Sequence, residues 1–145
     1  MTPDVNVLIA AFRRDHPQYS VARTWLDQAR ARCAEGSTSL LLLPVVVAGF
    51  LRLVTNPGVF IDPDPIEDAV AFVDVLLSSP GVELQAGAAE WPLLREKLLA
   101  GHLQANDVTD AWIAAATEAL AEHLVTFDRG FKRLLPSRDL TVLES

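Results

Sequence analysis

Asn106-Asp107-Val108-Thr109-Asp110-Ala111-Trp112-Ile113-Ala114-Ala115-Ala116 is followed, after a short polar break, by His123-Leu124-Val125-Thr126-Phe127-Asp128. The first stretch predicts a helix reaching about Glu122, with Asn106 or Asp107 as its cap. Residues 111–116 are apolar almost all round, the pattern of a helix buried within a core, and their small alanines let neighbours approach closely. The second stretch predicts a buried strand that ends on an acid. A buried helix feeding a buried strand is the return half of a parallel crossover unit.

The same alternation recurs on both sides of this unit. A short turn around Phe131–Leu135 and an edge strand at Thr141–Leu143 are expected downstream. Upstream, Ala88–Leu99 predicts a helix stopped by Gly101, and Val82–Leu84 a short strand. Ile66–Leu77 predicts a helix between Asp62-Pro63-Asp64-Pro65 and Pro80-Gly81. Leu40–Leu43 is a continuous aliphatic run, as expected of a strand covered on both faces. Pro44 fits the first turn of the helix that follows, running to about Val54 before Asn56-Pro57-Gly58. Ser20–Arg32 carries Val21, Trp25, Leu26 and Ala29 on one stripe. The chain opens with a strand candidate at Thr2–Val5 and a helix-like Val7–Phe12 segment. Together these predict an α/β fold with a mainly parallel central sheet flanked by helices.

The chain has 145 residues, half of them hydrophobic and 21% charged, which suits a single packed domain over 1–145. Its formal charge of −7 argues against nucleic-acid binding through bulk charge. Cys33 is the only cysteine, so an intramolecular disulfide and a cysteine zinc cluster are both excluded. Asp4, Asn6, Arg13 and Arg14 interrupt the first apolar stretch, unlike a signal peptide, and Leu40 to Leu51 is too short to span a bilayer. A cytoplasmic protein without membrane contact is expected.

In parallel α/β sheets, polar chemistry collects beyond the carboxyl ends of the strands. Asp4 and Asp128 follow the first and the late apolar strands, and Asp110 stands in the first turn of the buried helix. If the two strands are neighbours, the three carboxylates converge. Two unit charges about 4 Å apart repel by about 4 kcal/mol at an effective dielectric near 20. Convergence therefore raises their pKa values or recruits a cation, and an oxygen-only site suits Mg²⁺ or Mn²⁺. Each acid also has a plainer reading. Asp4 is a turn or cap residue, Asp107 and Asp110 favour a helix start, and Asp128-Arg129-Gly130 is an ordinary turn. His16, His102 and His123 lack metal-motif spacing, and no nucleophile elbow or glycine-rich phosphate loop is present. Trp25, Trp91 and Trp112 are spaced like core residues. Arg13, Arg14, Arg52, Arg129, Lys132 and Arg133 are candidate phosphate contacts, with solvation as the plain alternative. Arg52 draws notice because it ends an otherwise apolar helix.

Pro3-Asp4-Val5-Asn6-Val7-Leu8-Ile9 resembles the opening motif of PIN domains, particularly the VapC-type toxins. Asp107-Val108-Thr109-Asp110-Ala111-Trp112 and Leu124-Val125-Thr126-Phe127-Asp128-Arg129-Gly130-Phe131 resemble the later motifs. Leu43-Pro44 through Gly49-Phe50-Leu51-Arg52 to Thr55-Asn56-Pro57 is similar to a group of these toxins. The likeness covers nearly the whole chain.

It implies a PIN-like three-layer sandwich and an endoribonuclease using Mg²⁺ or Mn²⁺ on tRNA, rRNA or mRNA, leaving a 5′-phosphate and a 3′-hydroxyl. It also implies a VapB-type antitoxin and a homodimer. Asp4, Asp110 and Asp128 become the metal-organising carboxylates and Asn6 the residue supporting the first of them. Asp107 becomes an auxiliary acid, and Arg52 and Arg129 become candidate RNA contacts. Two departures lower the charge of the implied site. Gly49 stands where PIN domains commonly place a glutamate, and Gly130 where a further acid often follows. Weaker metal affinity, waters in the vacant positions, completion by bound RNA, or a binding module without catalysis are the expectations from these departures. A receiver-type signalling domain ranks below both, since neither Lys97 nor Lys132 fits its partner lysine.

Overall fold

The computed structural model describes residues 1–86, 90–104 and 106–144. The strands are β1 (Thr2–Pro3), β2 (Leu40–Leu42), β3 (Val82–Leu84), β4 (Leu124–Thr126) and β5 (Leu140–Val142). The helices are α1 (Val5–Phe12), α2 (Tyr19–Ala34), α3 (Pro44–Val54), α4 (Ile66–Leu77), α5 (Trp91–Ala100) and α6 (Asn106–Ala119).

All the strand pairs are parallel: β1 with β4, β4 with β5, and β2 with β3. Leu41 N donates to Met1 O at 2.8 Å and brings β2 beside β1. β1-β4-β5 form one sheet and β2-β3 a second, and this bond sets the two side by side in the order β3-β2-β1-β4-β5, with β5 at an edge as expected. From β1 the chain steps to β2 and β3 on one side, then crosses to β4 on the other. Right-handed crossovers consequently put the β1–β2–β3 helices and the β3–β4 helices on opposite faces. The order reverses between β1 and β4, and a parallel sheet opens a crevice at the carboxyl ends of such strands.

Pro44 sits in the first turn of α3, where its missing N–H costs nothing, and the observed helix bounds of α3 and α4 agree with the sequence expectation. The core joins Leu8, Leu26, Leu40, Leu42, Val46, Phe50 and Ile113, all buried. Phe12, Phe50 and Phe72 stack against one another with centroids 5.1–5.5 Å apart, tying α1, α3 and α4 together. Gly81, at φ +73°, makes the turn into β3; a Cβ there would lie 3.2 Å from the Cys33 carbonyl oxygen.

Several boundaries and environments differ from the sequence expectation. The first strand is only Thr2–Pro3, because Asp4 caps a helix that starts at Val5 and not at Val7. In α2 the buried stripe is Ala22, Leu26, Ala29 and Cys33, so Val21 and Trp25 sit at its margin. Helix α6 stops at Ala119, and Ala121 adopts φ +52°, a left-handed turn that cannot continue it. Asn106 and Asp107 lie inside α6 and do not precede it. The expected start of α5 at Ala88 and Ala89 falls outside the described residues. Trp91 and Trp112 are 63% and 43% exposed, so neither is a core residue. Trp112 projects from an otherwise buried face, with Nε1 donating to Glu90 at 3.1 Å.

Arg13 is the largest departure. Its side chain is 7% exposed and donates to Asp15, to Asp64 at 2.7 Å and to the Asp62 carbonyl, while its guanidinium lies 4.0 Å from the Phe60 ring centre. It is a structural clamp from α1 to the α3–α4 connection, not a phosphate contact. Arg13→Met leaves Asp64 and the Asp62 carbonyl without their donor. A loss of about 2 kcal/mol in urea unfolding is expected, moderated because Asp15 is largely exposed.

Candidate active site

The capping position of α1 places the first acid. Asp4 follows β1 directly, and its extended backbone lets Oδ1 accept from Val5 N at 2.7 Å. The register pairs Pro3 with Val125, so Asp4 comes level with Thr126 at the end of β4. Thr126 Oγ1 donates to Asp4 Oδ2 at 2.7 Å and accepts from Asn6 Nδ2 at 3.1 Å and from Asp128 N at 2.9 Å. One donor and two lone pairs are thereby all used. Asn6 Oδ1 accepts from Phe127 N at 3.2 Å. This threonine, buried and central to the network, links the two strand ends that carry Asp4 and Asp128.

Asp128 is turned by its own loop. Its Oδ1 accepts from Gly130 N at 2.7 Å, and a Cβ at residue 130 would lie 2.9 Å from that oxygen. Glycine at 130 therefore keeps this carboxylate in place where a larger residue would displace it. A Cβ at residue 49 would stand 3.0 Å from Val5 Cγ2, so a side chain there requires that methyl to give way by a few tenths of an ångström.

Asp4, Asn6, Gly49, Arg52, Asp110 and Asp128 line one cleft of about 420 Å³, together with Asn106 and Thr109 of α6. The cap reading and the cleft reading of Asp4 hold at once. Asp107 instead pairs with Arg133 at 2.6 Å, and Arg129 lies 3.9 Å from Glu144. The sequence reading missed Thr126, Asn106 and Thr109. The placement of Thr126 between an apolar strand and Asp128 was the one available signal.

Burial pushes Asp4 up to about 6, against hydrogen bonds from Thr126 and Val5 that favour its charge; Asp110 and Asp128 add to the rise by repulsion. Asp110 is also raised, first by burial, then by the charges of Asp128 and Asp107, with Arg133 opposing. A folded carboxyl above its unfolded value of 3.8 stabilises the fold most below that value. This contribution is lost as pH rises through about 6. In EDTA, urea unfolding should show stability falling by up to about 3 kcal/mol across this window. Asp4→Asn should flatten that slope; an unchanged slope would assign it to other groups.

The donors available for a cation are hard oxygens, and a dication would offset the repulsion that raises Asp4 and Asp110. Among the described residues, however, no group of three Asp, Glu, His or Cys side chains stands where it could by itself hold a metal ion. The donor set fits an open site, with carboxylates supplying part of the shell and water or substrate oxygens the remainder, as suits Mg²⁺ or Mn²⁺. No described helix is long and apolar enough to cross a membrane.

The family model of the PIN domain matches residues 1–134. Ribonuclease VapC43 of Mycobacterium tuberculosis is 36% identical over 131 residues, covering 90% of this chain and 86% of the relative. Ribonuclease VapC25 of the same species is 34% identical over 140 residues, covering 94% of each. A chain in the crystal structure of VapBC2 from Rickettsia felis bound to a DNA fragment from their promoter has a TM-score of 0.66 and 21% identity. That match covers 99% of this chain and 98% of the other, and it shows a shared fold. The parallel sheet, the cleft at its reversal point and these matches together make this chain a member of the PIN-domain family, with VapC ribonucleases among its relatives.

Proposed function

We propose that this chain is the endoribonuclease toxin of a toxin–antitoxin pair, hydrolysing RNA phosphodiester bonds with Mg²⁺ or Mn²⁺ held by Asp4, Asp110 and Asp128. The observation that carries this reading is the gathering of these three acids, from residues 4 to 128, along one cleft. The VapC relatives support the reaction class, and the VapBC likeness is consistent with a VapB-type antitoxin. A homodimer and a cytoplasmic location belong to the same proposal.

A bound Mg²⁺ or Mn²⁺ neutralises charge at the phosphate and acidifies water. The chain's residues prepare the remainder. Val5 N and Thr126 Oγ1 fix the plane of the Asp4 carboxylate while using two of its roughly four acceptor positions. Hydrolysis joins a water oxygen to phosphorus and breaks the bond to O3′, leaving a 5′-phosphate and a 3′-hydroxyl. Asp110, on the wall of the cleft, would share in holding the ion, and the proton that the water loses passes to solvent. Arg52, exposed on the cleft wall, offers a planar fork to a phosphate, and Arg129 a second one beyond Asp128. Overall acidity leaves substrate choice to RNA shape and these few cations.

One observation favours a second reading, a domain that binds partners without cleaving: the absence of a three-ligand cluster among the described residues. The separating experiment incubates purified protein with total cellular RNA and Mg²⁺ or Mn²⁺, then maps new 5′ ends. Discrete new ends that EDTA abolishes support the nuclease. Intact RNA together with tight antitoxin binding supports the second reading.

A further inference from the structure

The 3₁₀ turn Arg129–Arg133 begins at Asp128 and holds three of the chain's 12 Lys and Arg residues within 5 positions. Phe131, fully buried, anchors this turn in the core while Arg129, Lys132 and Arg133 remain accessible. In a chain of net charge −7, this is a local reversal of sign beside the carboxylate cleft.

Arg133 is placed differently from its neighbours. Its Nη2 donates to Asp107 Oδ1 at 2.6 Å, while its side chain remains 48% exposed. One bond fixes the guanidinium and leaves further N–H donors of its fork available, unlike Arg13, whose fork is occupied on both sides. Asp107 lies one helical turn before Asp110 in α6, and the turn that carries Arg133 starts at Asp128, so the guanidinium stands beside the cleft without lining it. Arg133 also lines a hollow of about 460 Å³, together with Leu93, Glu96, Lys97, Glu118 and Leu134 among others. Lys97 is engaged there by Glu118 at 2.8 Å and by the Leu134 carbonyl at 2.9 Å. Of the two cations lining this hollow, Lys97 is held by Glu118 of the same lining, whereas Arg133 is held from outside it by Asp107.

We infer that Arg133, oriented by Asp107, binds the RNA phosphate next to the scissile one. This rests on the ribonuclease reading. A guanidinium already held in place loses little freedom on meeting a phosphate, and its fork matches two phosphate oxygens. A plain structural role, stapling the turn to α6, is the alternative the test must separate.

The test is fluorescence anisotropy with a labelled, mixed-sequence oligoribonucleotide in EDTA buffer, across a potassium chloride series. Arg133→Ala should weaken binding about tenfold and lower the slope of log affinity against log salt by about 0.7, the value for one phosphate contact on a single strand. Arg133→Lys should recover most of the slope but less of the affinity. Arg23→Ala, on α2 in an exposed pair with Asp27, should change neither. A staple alone would shift the unfolding midpoint without changing the salt slope. An Arg133→Ala slope and affinity equal to wild type would overturn the inference. So would a wild type that binds no oligoribonucleotide. Cleavage of total RNA by the wild type with Mg²⁺, scored in parallel, shows whether the ribonuclease reading has failed as well.

Discussion

Asp4→Asn is expected to reduce RNA cleavage about 100-fold or more while leaving a folded protein, a size typical of removing one group that stabilises developing charge. The substitution keeps the shape of the side chain and an acceptor for Val5 N, but removes the charge that the cleft concentrates. Asp4 is the most buried of the three acids in the cleft, and Asp110 and Asp128 already press its pKa upward. Burial opposes that charge more than the hydrogen bonds from Thr126 and Val5 favour it. Cleavage of total RNA compared with the urea midpoint separates the two effects. Retained cleavage would mean that Asp4 serves the fold as a helix cap and no more.

Thr126→Val is expected to cost about 2–3 kcal/mol of stability and to lower cleavage at least tenfold. Valine matches threonine in volume, so packing in β4 is preserved and the loss belongs to the hydroxyl. Without it Asp4 Oδ2 loses its donor, and Asn6 Nδ2 and Asp128 N lose their acceptor, all at the buried junction of β1 and β4. Thr126→Ser keeps the hydroxyl and should recover most of the cleavage. The measurement pairs urea unfolding with RNA cleavage for both variants. Wild-type cleavage by Thr126→Val would remove Thr126 from the site.

The elements that the sequence made legible owe this to local patterns. Leu40–Leu42 is uniformly aliphatic, Pro44 marks a helix start, and 111–116 is apolar on nearly every side. The family resemblance likewise drew attention to Asp4, Asp110 and Asp128, which share a cleft. What stayed hidden depends on partners distant in sequence. Arg13 looked like any solvated arginine until Asp64, 51 positions away, supplied its counter-charge. Thr126 read as one more β-branched strand residue, because its hydrogen bonds reach 120 and 122 positions back to Asn6 and Asp4. Asp107 looked like a cap, since its partner Arg133 lies beyond the next strand. Trp112 interrupts an alanine-rich face, and only the position of Glu90 shows which way it turns. Gly49 and Gly130 read as missing acids, and of the two Gly130 has a steric reason in the Asp128 carboxylate that a Cβ would meet.

Calorimetric titration with Mn²⁺ measures whether carboxylates gathered from the two ends of the chain hold a divalent ion. Saturable uptake by the wild type near neutral pH is expected, abolished by Asp4→Asn and by Asp110→Asn, with both variants still folded. Absence of uptake by the wild type, or uptake that survives both substitutions, would contradict that role for the carboxylates.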